Sequence, residues 1–204
     1  MLKEPLVSDP GNLDGTAARL LDATVACIAR VGVSKTTLDD VAREAGCSRA
    51  TLYRYFPGKP PLLGALVNRE AVALERELRT AADDAPTLED AVVAIVLRAS
   101  GWLAGHPALQ FVVIAEPEVL LPHLAFDGAD RVLHAGATVV APALARFLEP
   151  DAAERAGEWL ARMILSYFCS PTDLVDLADP ISVRRLVADF VVPGLLSVSD
   201  ASRG

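Results

Sequence analysis

The chain has 204 residues, of which 52% are hydrophobic, a formal net charge of −8 and a mean hydropathy of +0.34. That length suffices for a real core in one large or two small domains, and charged or polar residues such as Arg98, Glu116, His123, Arg131 and Arg146 interrupt every apolar run before it reaches a membrane span, so no membrane partner is expected. The three cysteines, Cys27, Cys47 and Cys169, are odd in number and lack CxxC spacing, which argues against both a zinc site and a disulfide framework.

In chain order, residues 1–13 read as a disordered tail whose acids and prolines fit neither a signal nor a transit peptide, so a cytoplasmic protein is expected. A first helix is predicted from Asp14 to Val31, with Leu21, Val25 and Ile28 at helical spacing and Cys27 buried on its apolar face. A second opens at Thr37, an N-cap whose partner Asp40 completes a capping box, and carries Leu38, Val41, Ala42 and Ala45 inward. Gly46 stops it, because a helix C-terminus commonly needs positive φ and only glycine adopts that at little steric cost. Cys47 is a small turn residue, for which inward packing is favoured over a redox role, and Ser48 caps a third helix, Arg49–Phe56.

At 100° per residue that third helix turns Leu52 and Phe56 towards the second, with Ala50 and Arg54 roughly opposite. Thr51, Tyr53 and Tyr55 fall on the flanks, and Arg49 leans out of the first turn. A small residue beside an arginine lets the backbone approach a groove floor while the guanidinium reaches a guanine edge. The hydroxyls of Ser48, Thr51, Tyr53 and Tyr55 suit phosphate oxygens, which position a protein on DNA without reading its sequence. Residues 30–59 carry six Lys/Arg against three Asp/Glu in an otherwise acidic chain. Residues 71–204 carry a net charge of −9, so phosphate should repel them and only the N-terminal head should meet DNA. These parts together make a helix-turn-helix, and its implication is binding to double-stranded DNA.

A long helix from Pro60 to about Ala82 should link this head to the rest. Asp83-Asp84-Ala85-Pro86 ends it, and Thr87 with Asp90 forms a second capping box. Further helices are predicted at about Thr87–Ala104, Pro107–Ala115, Asp127–Leu148, Asp151–Cys169 and Ile181–Val198, with a short helix or loop over Pro117–Phe126. No alternating strand pattern occurs, so the fold class is all-α with about nine helices. The domain division expected is a head at 14–59 and a body at 60–204. The last two helices present two apolar faces, running from Trp159 to Phe168 and from Val183 to Leu196, suited to a four-helix dimer interface or to core packing.

The run TTLDDVAREAGCSRATLYRYFPGK, residues 36–59, preceded by a helix ending at Val31-Gly32-Val33, resembles the TetR family of bacterial transcriptional regulators. The Tyr53-x-Tyr55-Phe56 segment before a short break and Lys59 is its most specific part, and the detailed likeness covers roughly residues 14–70. The resemblance implies a homodimer with two DNA-binding heads on a pseudo-palindromic operator, and C-terminal helices that dimerise and enclose a small effector. Carried residue by residue, it implies DNA contacts from Ser48, Arg49, Ala50, Thr51, Tyr53, Arg54 and Tyr55, with Thr37 and Lys59 on phosphate. Many relatives place an acid after the lysine, whereas here Pro60-Pro61 follows Lys59. The prolines remove two amide donors from a helix N-terminus, which shifts the expected phosphate anchor onto Lys59.

Candidates for an effector pocket are Trp102, His106, Phe111, Glu116, His123, Phe126, Arg131, Met163 and Tyr167, a mostly apolar set suited to an apolar or amphipathic ligand. His106, Glu116 and His123 lie ten and seven residues apart with prolines between them, which matches no metal-ligand pair on a helix, and no cofactor is expected. No Gly-rich phosphate loop or nucleophile elbow marks an enzyme. The favoured function is a regulator, chiefly a repressor, released from DNA by its effector. The alternatives are a constitutive DNA-binding protein or an activator, and, further off, a catalytic helical protein.

Overall fold

A computed structural model describes residues 15–119 and 129–194, and among these there is no strand. The helices are α1 (Gly15–Lys35), α2 (Leu38–Glu44), α3 (Arg49–Tyr55), α4 (Lys59–Asp83), α5 (Leu88–Gly105), α6 (Pro107–Ala115), α7 (Ala129–Leu144), α8 (Pro150–Cys169) and α9 (Pro180–Leu186). A π-helical turn, Val187–Val191, continues α9. The all-α expectation holds. No single described helix is long and apolar enough to cross a membrane.

The caps explain the helix boundaries of the N-terminal region. Thr37 accepts from the Asp40 amide while the Asp40 carboxylate accepts from the Thr37 amide, so the predicted box forms and starts α2. Gly46 takes φ +65° and ends it. Ser48 Oγ accepts from the Thr51 amide at 3.1 Å and starts α3. The first helix differs from expectation: α1 continues past Val31 to Lys35, through a kink at Gly32 with φ +85° and ψ +169°. Thr36 turns back onto this kink, donating from its amide and its hydroxyl to the Gly32 carbonyl.

Contacts divide the chain into two compact units, Met1–Val72 with His106–Leu121, and Ala73–Gly105 with Pro122–Gly204. This division departs from a boundary at residue 59, because the start of α4 and all of α6 pack with the helix-turn-helix. Leu20, Leu21, Cys27 and Ile28 of α1 form one core with Val41, Leu52, Phe56, Leu62, Leu66 and Val112. Burying each such Leu or Ile contributes about 1.5–3 kcal/mol.

In the second unit, α7 and α8 cross at close range. A Cβ on Gly136 would lie 2.7 Å from the Ala161 Cβ, and one on Gly157 would lie 3.0 Å from the Ala137 carbonyl oxygen. Ala152, Ala153, Ala156, Leu160 and Ile164 form the buried stripe of α8. Arg184 of α9 pairs with Asp90 at 3.0 Å and Glu89 at 3.5 Å, joining α9 to the start of α5. The apolar faces of the last helices therefore split. Leu160, Ile164, Val183, Val187 and Val191 enter the chain's own core, whereas Trp159 and Phe190 stay 44% and 72% exposed. Leu195 and Leu196 lie outside the described residues.

Candidate nucleic-acid interface

The exposed side of α3 follows from its helical period. Leu52 and Phe56 are buried, which leaves Arg49, Ala50, Tyr53 and Arg54 facing solvent and Thr51 half-buried. Tyr55 departs from the flank position expected of it. It is only 7% exposed and packs beside Phe56, ring centroids 6.4 Å apart, because one turn after Thr51 the helix has rotated it into the core formed with α1 and α4. The Arg54 guanidinium rests 5.4 Å from the centroid of the Tyr55 ring, so Tyr55 reaches the surface through the arginine it carries.

Each acid of the motif has an arginine beside it. Arg30 meets Glu44 at 2.9 Å, Arg43 meets Asp40 at 3.1 Å, and Arg49 Nε meets Asp39 Oδ1 at 2.7 Å. The Asp40 carboxyl is held below the usual carboxylate range, chiefly by the Thr37 hydroxyl that donates to it. Thr37 and Ser48 thus spend their hydroxyls first as caps, and Ser48 also shares a 3.0 Å hydrogen bond with the Thr51 hydroxyl. Of the six bases in residues 30–59, Lys35, Arg54 and Lys59 have no carboxylate partner among the described residues and carry the positive surplus.

Lys59 holds the end of α1. Its Nζ donates to the carbonyls of Val33 at 2.6 Å and Ser34 at 3.4 Å, satisfying the exposed C-terminal carbonyls of α1. From the other side, Glu116, at the end of α6, reaches the same segment. Its Oε2 accepts from the Val33 amide at 2.6 Å, and its two oxygens accept from the Ser34 amide at 3.2 and 3.3 Å. The carboxylate is 7% exposed and fills the place of a Gly32 side chain, since a Cβ there would lie 2.5 Å from it. The backbone immediately before the helix-turn-helix is therefore clamped, amides by Glu116 and carbonyls by Lys59. Glu116, one of the pocket candidates, has both oxygens on these amides.

His106 likewise has a local task. Its Nδ1 accepts from the Leu109 amide at 3.2 Å, making it the N-cap of α6. That leaves Nε2, which lies 3.7 Å from Glu70 Oε2. His106, and after it Arg69, holds the Glu70 carboxyl below its ordinary range. Arg69 also meets Asp22 of α1 at 2.6 Å, so α1, α4 and α6 share one polar seam.

The remaining pocket candidates are spread over several helices. Phe111 is half-buried on α6, and Trp102, Met163 and Tyr167 are half-buried on α5 and α8. His123 and Phe126 lie outside the described residues, as does the Arg131 side chain, although its backbone belongs to α7. A cleft of about 330 Å³ does open in the second unit, lined by Leu148, Ala152, Arg155, Trp159, Phe190 and Val191. None of the candidates lines it. Among the described residues no group of three or more metal-ligating side chains occurs.

Two residues important to this geometry escaped sequence reasoning. Gly32 carried a signal only as the end of a helix, and the need for its missing side chain appears once Glu116 is folded against it. Asp39 read as one more acid in a first helical turn, where acids are ordinary.

Residues 20–66 match the family described as bacterial regulatory proteins, tetR family. The chain is 30% identical over 193 residues to the HTH-type transcriptional regulator Rv1255c of Mycobacterium tuberculosis, covering 92% of this chain and 89% of the relative. Its fold is similar to that of the TetR family repressor AlkX from Dietzia sp., implicated in biodegradation of n-alkanes, with TM-score 0.65 and 23% identity over 89% of this chain and 95% of that one. It is also similar to FadR from Bacillus subtilis, solved in complex with stearoyl-CoA, with TM-score 0.62 and 18% identity over 84% of this chain and 97% of that one. The chain belongs to the TetR family and is a DNA-binding transcriptional regulator rather than an enzyme.

Proposed function

We propose that this regulator is a repressor that binds a pseudo-palindromic operator as a homodimer and leaves it when a small apolar or amphipathic effector binds the body. In this reading the head is 14–59, packed with the start of α4 and with α6, and the body is drawn from 60–204. Ser48, Arg49, Ala50, Thr51, Tyr53 and Arg54 face the major groove, with Thr37 and Lys59 near phosphate. Half-sites would then recur about one helical turn of DNA apart, or at multiples of it.

The observation that carries ligand response is the clamp at Gly32. α6 follows α5 in the chain after His106 alone, and α6 ends on Glu116, which holds the amides directly before the reading motif. A shift of α6 would change the backbone that feeds α2 and α3. An effector favouring one position of α6 would then lower DNA affinity, and DNA would lower effector affinity by the same factor. Self-association is supported by Trp159 and Phe190, exposed aromatics on a face whose neighbours are buried. The effector class is supported by the apolar content of the body and by the alkane and acyl-CoA associations of the two fold relatives.

Selecting DNA sites on purified protein, then titrating long-chain acyl-CoA and free fatty acids against the selected site, tests this reading. A palindromic site whose affinity falls at least tenfold with one ligand is the expected result. A site bound equally tightly at every ligand concentration would favour a constitutive binder, and transcription rising on binding would favour an activator.

A further inference from the structure

We infer that Asp39, on the first helix of the motif, is a positioning residue that presets the Arg49 guanidinium to read one base pair. The inference rests on α3 lying in a major groove and adds a specificity element outside α3 itself.

The geometry begins with the oxygen. Asp39 Oδ1 is shielded from solvent and accepts no hydrogen bond among the described residues, yet it lies 2.7 Å from Arg49 Nε as an ion pair. On the other side of the guanidinium lies Tyr53, one turn along α3, with its ring centroid 5.9 Å from Arg49 Cζ. A side-chain hydrogen bond with Tyr53 and the charge of Asp39 both favour the cationic form of Arg49. A guanidinium has five N–H groups in a rigid plane. The Asp39 carboxylate sits against the Nε side of that plane as an ion pair, without taking its N–H, and this leaves the terminal pair as a parallel fork. That fork matches the O6 and N7 acceptors on the major-groove edge of guanine.

Two features separate this arrangement from an ordinary surface ion pair. The pair joins α2 to the first turn of α3, where residues approach base edges in motifs of this kind. An acid at that place also opposes phosphate and lowers affinity for every DNA sequence alike. Its compensating effect is to restrict a long side chain that would otherwise lose rotamer freedom on binding, which sharpens the choice of base rather than overall affinity. Arg54 has no such carboxylate. It lies over the Tyr55 ring.

The test uses the full chain and its selected operator, with each base pair substituted in turn and binding measured at several salt concentrations. Arg49→Ala should relax discrimination at one G·C pair by about tenfold or more. Asp39→Asn should relax the same pair while binding to unrelated DNA holds steady or tightens. In the Arg49→Ala background, Asp39→Asn should change discrimination no further. Arg49→Lys keeps the charge and loses the fork, so it should relax that pair with the salt slope unchanged, and it supplies a readout if Asp39→Asn folds poorly.

Equal tightening of Asp39→Asn on all sequences, with every base preference kept, would make Asp39 only an electrostatic brake and overturn the inference. So would an Arg49→Ala variant that loses affinity uniformly. If no variant of α3, Arg54→Ala included, alters any base preference, then the placement of α3 in the groove fails as well.

Discussion

The head and the body of this chain are both helical, yet they are specified in different ways. In the head, short helices begin and end on hydrogen bonds between named neighbours. Thr37 with Asp40 and Ser48 with Thr51 are examples, each spanning three residues. In the body, α8 has twenty residues and no side-chain cap bond at Glu149, and its place is set by alanines and leucines against α7. Local chemistry specifies where the helices of the motif begin and end. Apolar packing of α8 against α7 leaves Trp159 and Phe190 exposed.

The largest effect should come from breaking the clamp where the head depends on a distant residue. Gly32→Val combines a backbone conformation that side chains rarely adopt with eviction of the Glu116 carboxylate. It should cost about 3–5 kcal/mol in urea unfolding. A midpoint unchanged from the parent would show that the segment tolerates a side chain and that the clamp is incidental.

Glu116→Ala leaves the Val33 and Ser34 amides without their acceptor and should cost about 2–3 kcal/mol. The two substitutions disturb one contact, so their combined cost should fall short of additivity, as a double-mutant cycle would reveal. Strict additivity would separate them.

Phe190→Asp acts on the body alone. With the side chain 72% exposed, the folded chain should tolerate it, while self-association should weaken at least tenfold, about 1.4 kcal/mol. Sedimentation velocity over a concentration series measures this, and an unaltered dimer would move the interface elsewhere.

The smallest effects lie in the caps and seams. Thr37→Ala should cost about 1 kcal/mol of stability. Glu70 has a depressed folded pKa, so its contribution is fully present above the unfolded carboxylate pKa. That contribution is lost as pH falls through the lower folded value. Glu70→Gln should therefore flatten the acid limb of the stability curve and leave its alkaline limb alone, as thermal melts across pH would show. An unchanged acid limb would remove the His106–Glu70–Arg69 seam from the account.

By itself, the sequence determined the elements whose causes are local. The Thr37–Asp40 box, the positive φ at Gly46, the Ser48 cap and the burial of Leu52 and Phe56 depend on residues within one or two turns, and a helical period makes them legible. The same period misplaced Tyr55, because whether a flank residue is inside depends on how closely α1 and α4 approach. Only the tertiary structure decided the jobs of Gly32, Glu116, Lys59 and Asp39. Glu116 and Val33 lie 83 residues apart in sequence and 2.6 Å apart in space, and no local pattern encodes such a pairing. It likewise decided which apolar residues of α8 and α9 enter the core and which stay exposed. Both kinds of residue have the same hydrophobicity in sequence, and only the close crossing of α7 and α8 tells them apart.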